Sequence, residues 1–216
     1  QSGSLSEAEA GYVGALNLGG YVIGALLTTR LRGRFHEAGI LRACLALALL
    51  SLVASILPWG FAWLAFWRFL VGVIVAVMMV LGIAYVTRFA PPGRTALATS
   101  IAFTGVGMGI FFSAAGLPWL LEHGLAWAWG GSAIVGAVGA AIGFWAWSGA
   151  PRLDGPVAVS DIVAEPVRIP LDGKKLVAAQ AMFSIGLIPH SIYWVDYIVR
   201  GLEKPIAEGA LQWSLV

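Results

Sequence analysis

The sequence predicts an all-α fold, a polytopic transmembrane helix bundle, from three observations. Hydrophobic residues make up 59% of the 216 residues and charged residues only 11%, whereas soluble domains carry about 25% charged residues. The mean hydropathy is +0.86. Long apolar stretches follow one another along the chain, and a helix needs about 20 apolar residues to cross a bilayer. The lipid bilayer is therefore the expected surrounding of most of this chain.

Composition also excludes several classes of function. The net charge of +2 is too small to indicate a nucleic-acid partner. Cys44 is the single cysteine and lies in an apolar run, so no disulfide framework is expected. No spacing of ligand residues indicates a metal site, and no motif indicates a cofactor. No cleavable signal peptide is visible. Because the chain has no initiator Met and ends in what resembles another helix start, we interpret it as a fragment.

One stretch, residues 63–88, organises the predicted bundle because it is almost wholly apolar and yet contains Arg68. A guanidinium stays charged at any relevant pH, and such residues in membranes usually face the bundle interior. The alternative is that Arg68 extends to the membrane surface beside Trp63 and Trp67. On a helix, Arg68 shares one stripe with four further residues, namely Gly72, Val75, Met79 and Gly82.

Hydropathy divides the chain into seven predicted spans. They cover residues 11–29, 40–57, 63–88, 96–116, 126–147 and 176–199, with a seventh starting at Ala210. The first span begins after a capping-box spacing of Ser6 and Glu9. The fourth should end before Pro118, and the sixth should be broken at Pro189. Residues 150–175, rich in proline and acidic residues, read as a linker between two membrane halves, residues 1–149 and 176–216.

Small residues recur at helical spacing in several spans and predict close helix packing. The positions assigned to such packing are Gly24, Gly72, Gly105, Gly109 and Gly116. Asn17 and Tyr21 lie on the same face of the first span as Gly24. A buried amide needs hydrogen-bond partners or a wet cavity, so Asn17 and Tyr21 are candidates for lining a transport pathway.

The distribution of basic residues predicts the orientation of the spans. Loops on one side hold ten basic residues against two on the other, Arg200 and Lys204. The ten are Arg30, Arg32, Arg34, Arg42, Arg88, Arg94, Arg152, Arg168, Lys174 and Lys175. Positive charge accumulates on the cytoplasmic side of membrane proteins. The linker at residues 150–175 should therefore be cytoplasmic, and Gln1 should be external.

The spacing Arg68-x-x-x-Gly72, followed by Ala76, resembles a signature on the fourth helix of major facilitator superfamily (MFS) transporters. Gly24 with the following arginine-rich loop resembles a second family motif, although Thr28 stands where the family has Asp. The resemblance covers essentially the whole chain. It implies helices two to eight of a twelve-helix architecture built from two halves.

Further motifs narrow the resemblance within the superfamily. Gly105-x-x-x-Gly109 resembles the antiporter motif of the fifth helix, but Ile110 stands where the motif has proline. This departure and the Thr28 departure both weigh against a drug/proton antiporter. Residues 188–191 (IPHS) and 194–197 (WVDY) resemble the YbfB/YjiJ-type branch. This branch implies a secondary active transporter of a small solute by alternating access, located in the bacterial inner membrane, and not an enzyme.

The sixth span supplies the remaining candidate residues, His190, Tyr193 and Asp196. A histidine titrates near neutrality, so His190 suits proton coupling or solute contact, and the alternative is a structural hydrogen bond. Asp196 stands four residues before Arg200, which favours a helical ion pair. An intramembrane enzyme using His190 and Asp196, or a structural or signalling membrane protein, are the competing classes. These residues leave open the solute and whether protons drive its transport.

Overall fold

A computed structural model describes residues 6–31, 35–150 and 171–214, without the side chains of residues 7, 177, 187–192 and 213–214. Seven α-helices account for most of the described residues. In chain order they are α1 (Glu7–Leu31), α2 (Glu37–Ala54), α3 (Phe61–Phe89), α4 (Thr95–Glu122), α5 (Leu125–Ala146), α6 (Leu171–Asp196) and α7 (Ile206–Ser214). A 3-10 turn, Trp147–Gly149, follows α5, and a π turn, Tyr197–Gly201, follows α6.

The all-α prediction is confirmed, because the described residues form helices and turns and no β-strand. Helices α1 to α5 are each long and apolar enough to cross a membrane. The predicted capping box is also present at the start of α1. The Ser6 backbone N–H donates to Glu9 Oε2 at 2.7 Å, and the Glu9 N–H donates to Ser6 Oγ at 3.3 Å. These two bonds satisfy donors that the first helical turn leaves unpaired.

Two of the predicted helix ends and one predicted break are wrong. Helix α4 continues through Pro118 to Glu122, because a proline removes only one backbone hydrogen bond and the residues after it remain apolar. The helix ends instead at a tight turn in which Gly124 adopts a φ of 111° that favours glycine. The backbone of α6 is likewise helical through position 189, and α7 begins at Ile206, before Ala210.

The predicted linker falls mostly outside the described residues, since residues 151–170 are not described and α6 already begins at Leu171.

The chain forms two compact units, one of residues 1–109 and 119–153 and one of residues 110–118 and 154–216. In the first unit α3 packs between α1 and α2, and α5 packs on the other side of α2. In the second unit α6 packs against α7.

The apolar core of the first unit lies where α2 meets the second half of α3. Its buried members are Leu41, Cys44, Ile74, Val77, Leu81 and Tyr85. Trp147, just after α5, packs against this core and meets the Tyr85 ring edge-on at 4.8 Å between centroids. The Arg42 guanidinium donates from Nη2 to the Trp147 carbonyl oxygen at 2.6 Å. Arg42 therefore ties the end of α5, where helix carbonyls lack intrahelical donors, to α2.

Replacing Arg42 with alanine should loosen this end of α5. A hydrogen bond from a charged donor contributes about 1.5–3 kcal/mol, so amides of residues 147–150 should exchange hydrogen about tenfold faster or more in Arg42→Ala. Hydrogen exchange followed by mass spectrometry in detergent would measure this. Arg88→Ala, at an exposed arginine near the end of α3, is the control and should leave the exchange unchanged. Unaltered exchange in Arg42→Ala would show that the bond to Trp147 does not hold this turn.

Candidate functional site

The Arg68 side chain connects α3 with α2 and α5. Its Nη2 donates to Ser55 Oγ at 3.1 Å and, more weakly, to Ser51 Oγ at 3.4 Å. Its Cζ lies 4.8 Å from the centroid of the Trp129 ring on α5, within the range of a cation–π interaction. Arg68 lies about 10 Å along α3 from its start, at 1.5 Å per residue. The guanidinium is thus held between three helices.

The two serines are well prepared to accept a hydrogen bond from a cation. Both are buried, with Ser51 at 0% exposure and Ser55 at 6%. The Ser55 hydroxyl donates its own proton to the Ser51 carbonyl oxygen at 2.7 Å. Its oxygen lone pairs therefore remain free to accept from Arg68, since a hydroxyl carries one donor and two acceptor sites.

Every contact of the guanidinium named above is to a neutral group. The ion pairs between described residues, Lys175 with Asp172 and Arg200 with Asp196, do not involve Arg68. Arg68 Nε is buried and donates to none of the described residues. A cation inside a membrane segment is costly unless polar groups or an opposite charge surround it. Arg68 is therefore a positive charge for which the described part of the chain supplies acceptors but no counter-ion.

The backbone of Arg68 contacts a different helix, α1. Asn17 donates from Nδ2 to the Arg68 carbonyl oxygen at 2.8 Å. Gly72, one turn later, lies directly against the α1 backbone, because a Cβ there would come within 2.9 Å of the Asn17 carbonyl carbon and the Tyr21 nitrogen. The Arg68-x-x-x-Gly72 spacing thus places both residues on the contact with α1.

Two glycines of α1 bring its backbone onto α3 from the other side. A Cβ on Gly20 would lie 3.0 Å from the Phe69 carbonyl carbon, and one on Gly24 would lie 2.7 Å from Val73 Cα. Residues later in α1 therefore contact residues later in α3, so the two helices run parallel. That direction is expected when one span, α2, separates them in the chain.

The other glycines predicted to pack, Gly105, Gly109 and Gly116, lie on α4. No atom of the described residues comes within 4 Å of a Cβ built on any of them, apart from the neighbours in their own helix. Their packing role stays a prediction. The stripe that Arg68 shares with Val75 and Gly82 on α3 also stays a prediction. Val75 is exposed, and a Cβ at Gly82 would meet no described atom within 4 Å.

The remaining candidates are placed less closely together. Tyr21 is 38% exposed on α1. In the second unit, Tyr193 is 46% exposed, and Asp196 Oδ1 accepts from Arg200 Nε at 2.8 Å. This is the helical ion pair that the spacing of Asp196 and Arg200 favours. The side chain of His190 lies outside the part of the chain that the structure describes, so its role stays a prediction.

Sequence reasoning missed three residues of the Arg68 site, Ser51, Ser55 and Trp129. The serines carried a usable signal, because they stand four residues apart and so share one face of an apolar helix. A polar pair on such a face needs a partner in a neighbouring helix. Trp129 carried no such signal, since its approach to Arg68 depends on how α5 packs against α2.

A comparison with protein families gives one match. The family model described as "Uncharacterised MFS-type transporter YbfB" matches residues 1–216, the whole chain. No curated protein and no solved structure matches the chain. The family match confirms the resemblance drawn from Arg68-x-x-x-Gly72 and the motifs of α6, and it agrees with a multi-pass bundle of membrane-length helices. The chain therefore belongs to the YbfB-type family of major facilitator superfamily transporters, membrane proteins that carry solutes and are not enzymes.

Proposed function

We propose that this protein is a secondary active transporter that moves a small solute across the membrane by alternating access, with Arg68 as its central pathway residue. The observation that carries the proposal is the Arg68 guanidinium, a permanent cation in an apolar span whose described partners are neutral hydroxyls and an aromatic ring. Such residues in membrane helices mark solute or ion pathways. The family match supports transport as the activity.

The neutral partners of Arg68 suit a residue that must change contacts during a transport cycle. A carboxylate would bind a guanidinium in two parallel hydrogen bonds and hold it in place. Two hydroxyls and the face of Trp129 bind it less strongly, so the guanidinium can exchange them for solute or for other polar groups as helices move. Tyr21 on α1, with His190, Tyr193 and Asp196 on α6, are the further residues that we propose for the pathway or its coupling. Asn17 binds the Arg68 carbonyl oxygen, so its role depends on that of Arg68.

Proton coupling is part of the proposal because His190 is a titratable residue in the sixth predicted span. The test uses the full-length protein in proteoliposomes, with an imposed pH gradient and a panel of radiolabelled small metabolites. At least one solute should move against its gradient, and a protonophore should abolish that movement. His190→Gln should flatten the pH dependence, whereas His123→Gln, at an exposed histidine after α4, should not. Solute flux that does not change with the imposed pH gradient would exclude proton coupling. The absence of flux under every condition would contradict transport.

The proposed orientation places the short basic turn between α3 and α4 in the cytoplasm of a bacterial cell and the turn between α4 and α5 outside the inner membrane. With Cys44 replaced by alanine, Pro92→Cys and His123→Cys each put one thiol at an exposed position in these turns. An impermeant maleimide should label His123→Cys in spheroplasts and Pro92→Cys only after permeabilisation. The reverse pattern would overturn the orientation predicted by the positive-inside count.

A further inference from the structure

We infer that Asn17 is a positioning residue for Arg68, acting on the arginine through its backbone rather than contacting the solute. The inference rests on the proposed role of Arg68 in transport. It departs from the expectation that Asn17 lines the pathway, because one of the two side-chain N–H groups of Asn17 already donates to the Arg68 carbonyl oxygen at 2.8 Å and directs the amide at the α3 backbone.

The bond uses a free acceptor site of the α3 backbone. In a helix the carbonyl of residue 68 accepts from the N–H of residue 72, and a carbonyl oxygen has a second lone pair. Asn17 supplies a donor for that second lone pair from a neighbouring helix, at a partly buried position. A hydrogen bond of this kind between membrane helices fixes their relative height as well as their distance.

Gly72 makes the bond from Asn17 sterically accessible. The Asn17 side chain is short, and it reaches the Arg68 carbonyl only because the α1 backbone lies directly on Gly72. A larger residue at position 72 would push α1 away at the very turn where the bond forms. Both residues of the Arg68-x-x-x-Gly72 motif therefore contact α1. The Arg68 carbonyl accepts the hydrogen bond from Asn17, and Gly72 leaves room for the α1 backbone.

Arg68 is consequently held on two sides, by its carbonyl toward α1 and by its guanidinium toward α2 and α5. The contact from Asn17 to the Arg68 carbonyl sets where the arginine side chain begins. The contacts with Ser55 and Trp129 set where it ends. A functional side chain must be held to within about 0.5 Å, usually by residues that do not touch the ligand. Asn17 performs that task here, and it couples any movement of α1 to the guanidinium.

The test reads the position of the guanidinium directly, using the full-length protein labelled with 5-fluorotryptophan. Trp129 lies under the guanidinium, so its fluorine resonance reports the position of the Arg68 side chain, and Trp129→Phe identifies that resonance among those of the other tryptophans. In Asn17→Ala we expect the Trp129 resonance to shift at least half-way to its position in Arg68→Leu. In the Arg68→Leu background, Asn17→Ala should produce no further shift. Tyr12→Phe, at an exposed position of α1 away from Arg68, is the control and should leave the resonance in place.

A second readout separates positioning from simple stabilisation of the helix pair. The Arg68 carbonyl remains when its side chain is changed, so Asn17→Ala should lower the thermal midpoint equally in the Arg68 and Arg68→Leu backgrounds. A lowered midpoint with an unmoved Trp129 resonance would overturn the inference and leave Asn17 as a packing residue only. If Asn17→Ala does not fold, Asn17→Ser keeps a short polar group and gives the same comparison. Because neither readout needs transport, a negative result here is distinct from a failure of the proposed function.

Discussion

Replacing Arg68 with leucine is expected to lower the transport rate about tenfold or more while the protein still inserts at normal levels. Insertion should not suffer, because leucine is favourable in a membrane helix, whereas an arginine costs about 2.5–3.5 kcal/mol at the helix centre on insertion scales and less toward an interface. Transport should suffer because leucine can contact neither Ser55 nor a polar solute. A tenfold loss corresponds to about 1.4 kcal/mol in the barrier, less than one charge-assisted hydrogen bond contributes at the upper end of its range.

Arg68→Lys should restore only part of the rate. The Arg68 guanidinium is placed over the Trp129 ring and also donates to Ser55. A guanidinium is planar and can make both contacts at once, whereas an ammonium is a compact point charge without that fork. Initial rates in proteoliposomes, normalised to the amount of reconstituted protein, would measure both variants. Arg94→Leu, at an exposed arginine before α4, is the control and should transport normally. Full transport by Arg68→Leu at normal expression would remove Arg68 from the mechanism.

Enlarging Gly72 is expected to have the largest effect on folding. Alanine normally stabilises a helix relative to glycine by about 1 kcal/mol. At Gly72 the added Cβ would instead overlap the Asn17 carbonyl group, which is backbone and cannot rotate away as a side chain could. The α1 and α3 helices would have to separate, and the hydrogen bond from Asn17 to Arg68 would be lost with them. Gly72→Ala should therefore lower the folded yield, and Gly72→Val should lower it further.

Gly82 offers a matched control in the same helix. A Cβ at Gly82 meets no atom of the described residues within 4 Å, so Gly82→Ala should leave the folded yield unchanged or raise it. The monodisperse fraction after size-exclusion chromatography and the thermal midpoint in detergent would compare the two positions. Equal behaviour of Gly72→Ala and Gly82→Ala would contradict the close approach of α1 and α3.

The five spans of the first 150 residues could be predicted from the sequence, because the bilayer imposes a length and an apolar composition that can be read without knowing any partner. Local chemistry was equally readable where it involves near neighbours in the chain. The Ser6–Glu9 capping box and the Asp196–Arg200 pair are both set by helical spacing alone. The predicted end of α4 is wrong because Pro118 weakens this helix without ending it.

Helix periodicity identifies which residues share a face, but it does not identify what that face meets. Gly72 and Gly109 look alike in the sequence, as small residues in apolar spans. The structure places Gly72 against the α1 backbone, and it brings no described residue to Gly109. The difference depends on distances between helices that no local pattern encodes.

The sequence by itself determined that this protein is a multi-pass helical membrane protein with a cation in its third predicted span, since a single charge among apolar residues stands out in composition alone. Only the tertiary structure decided what surrounds that cation. Ser55 directly follows the last residue of α2, Trp129 comes from α5 and Asn17 from α1. They meet at Arg68 because glycines let α1 approach α3 and because α2 packs between α3 and α5. Residues far apart in the chain become neighbours through packing, which is a property of all the helix surfaces together and not of any one segment.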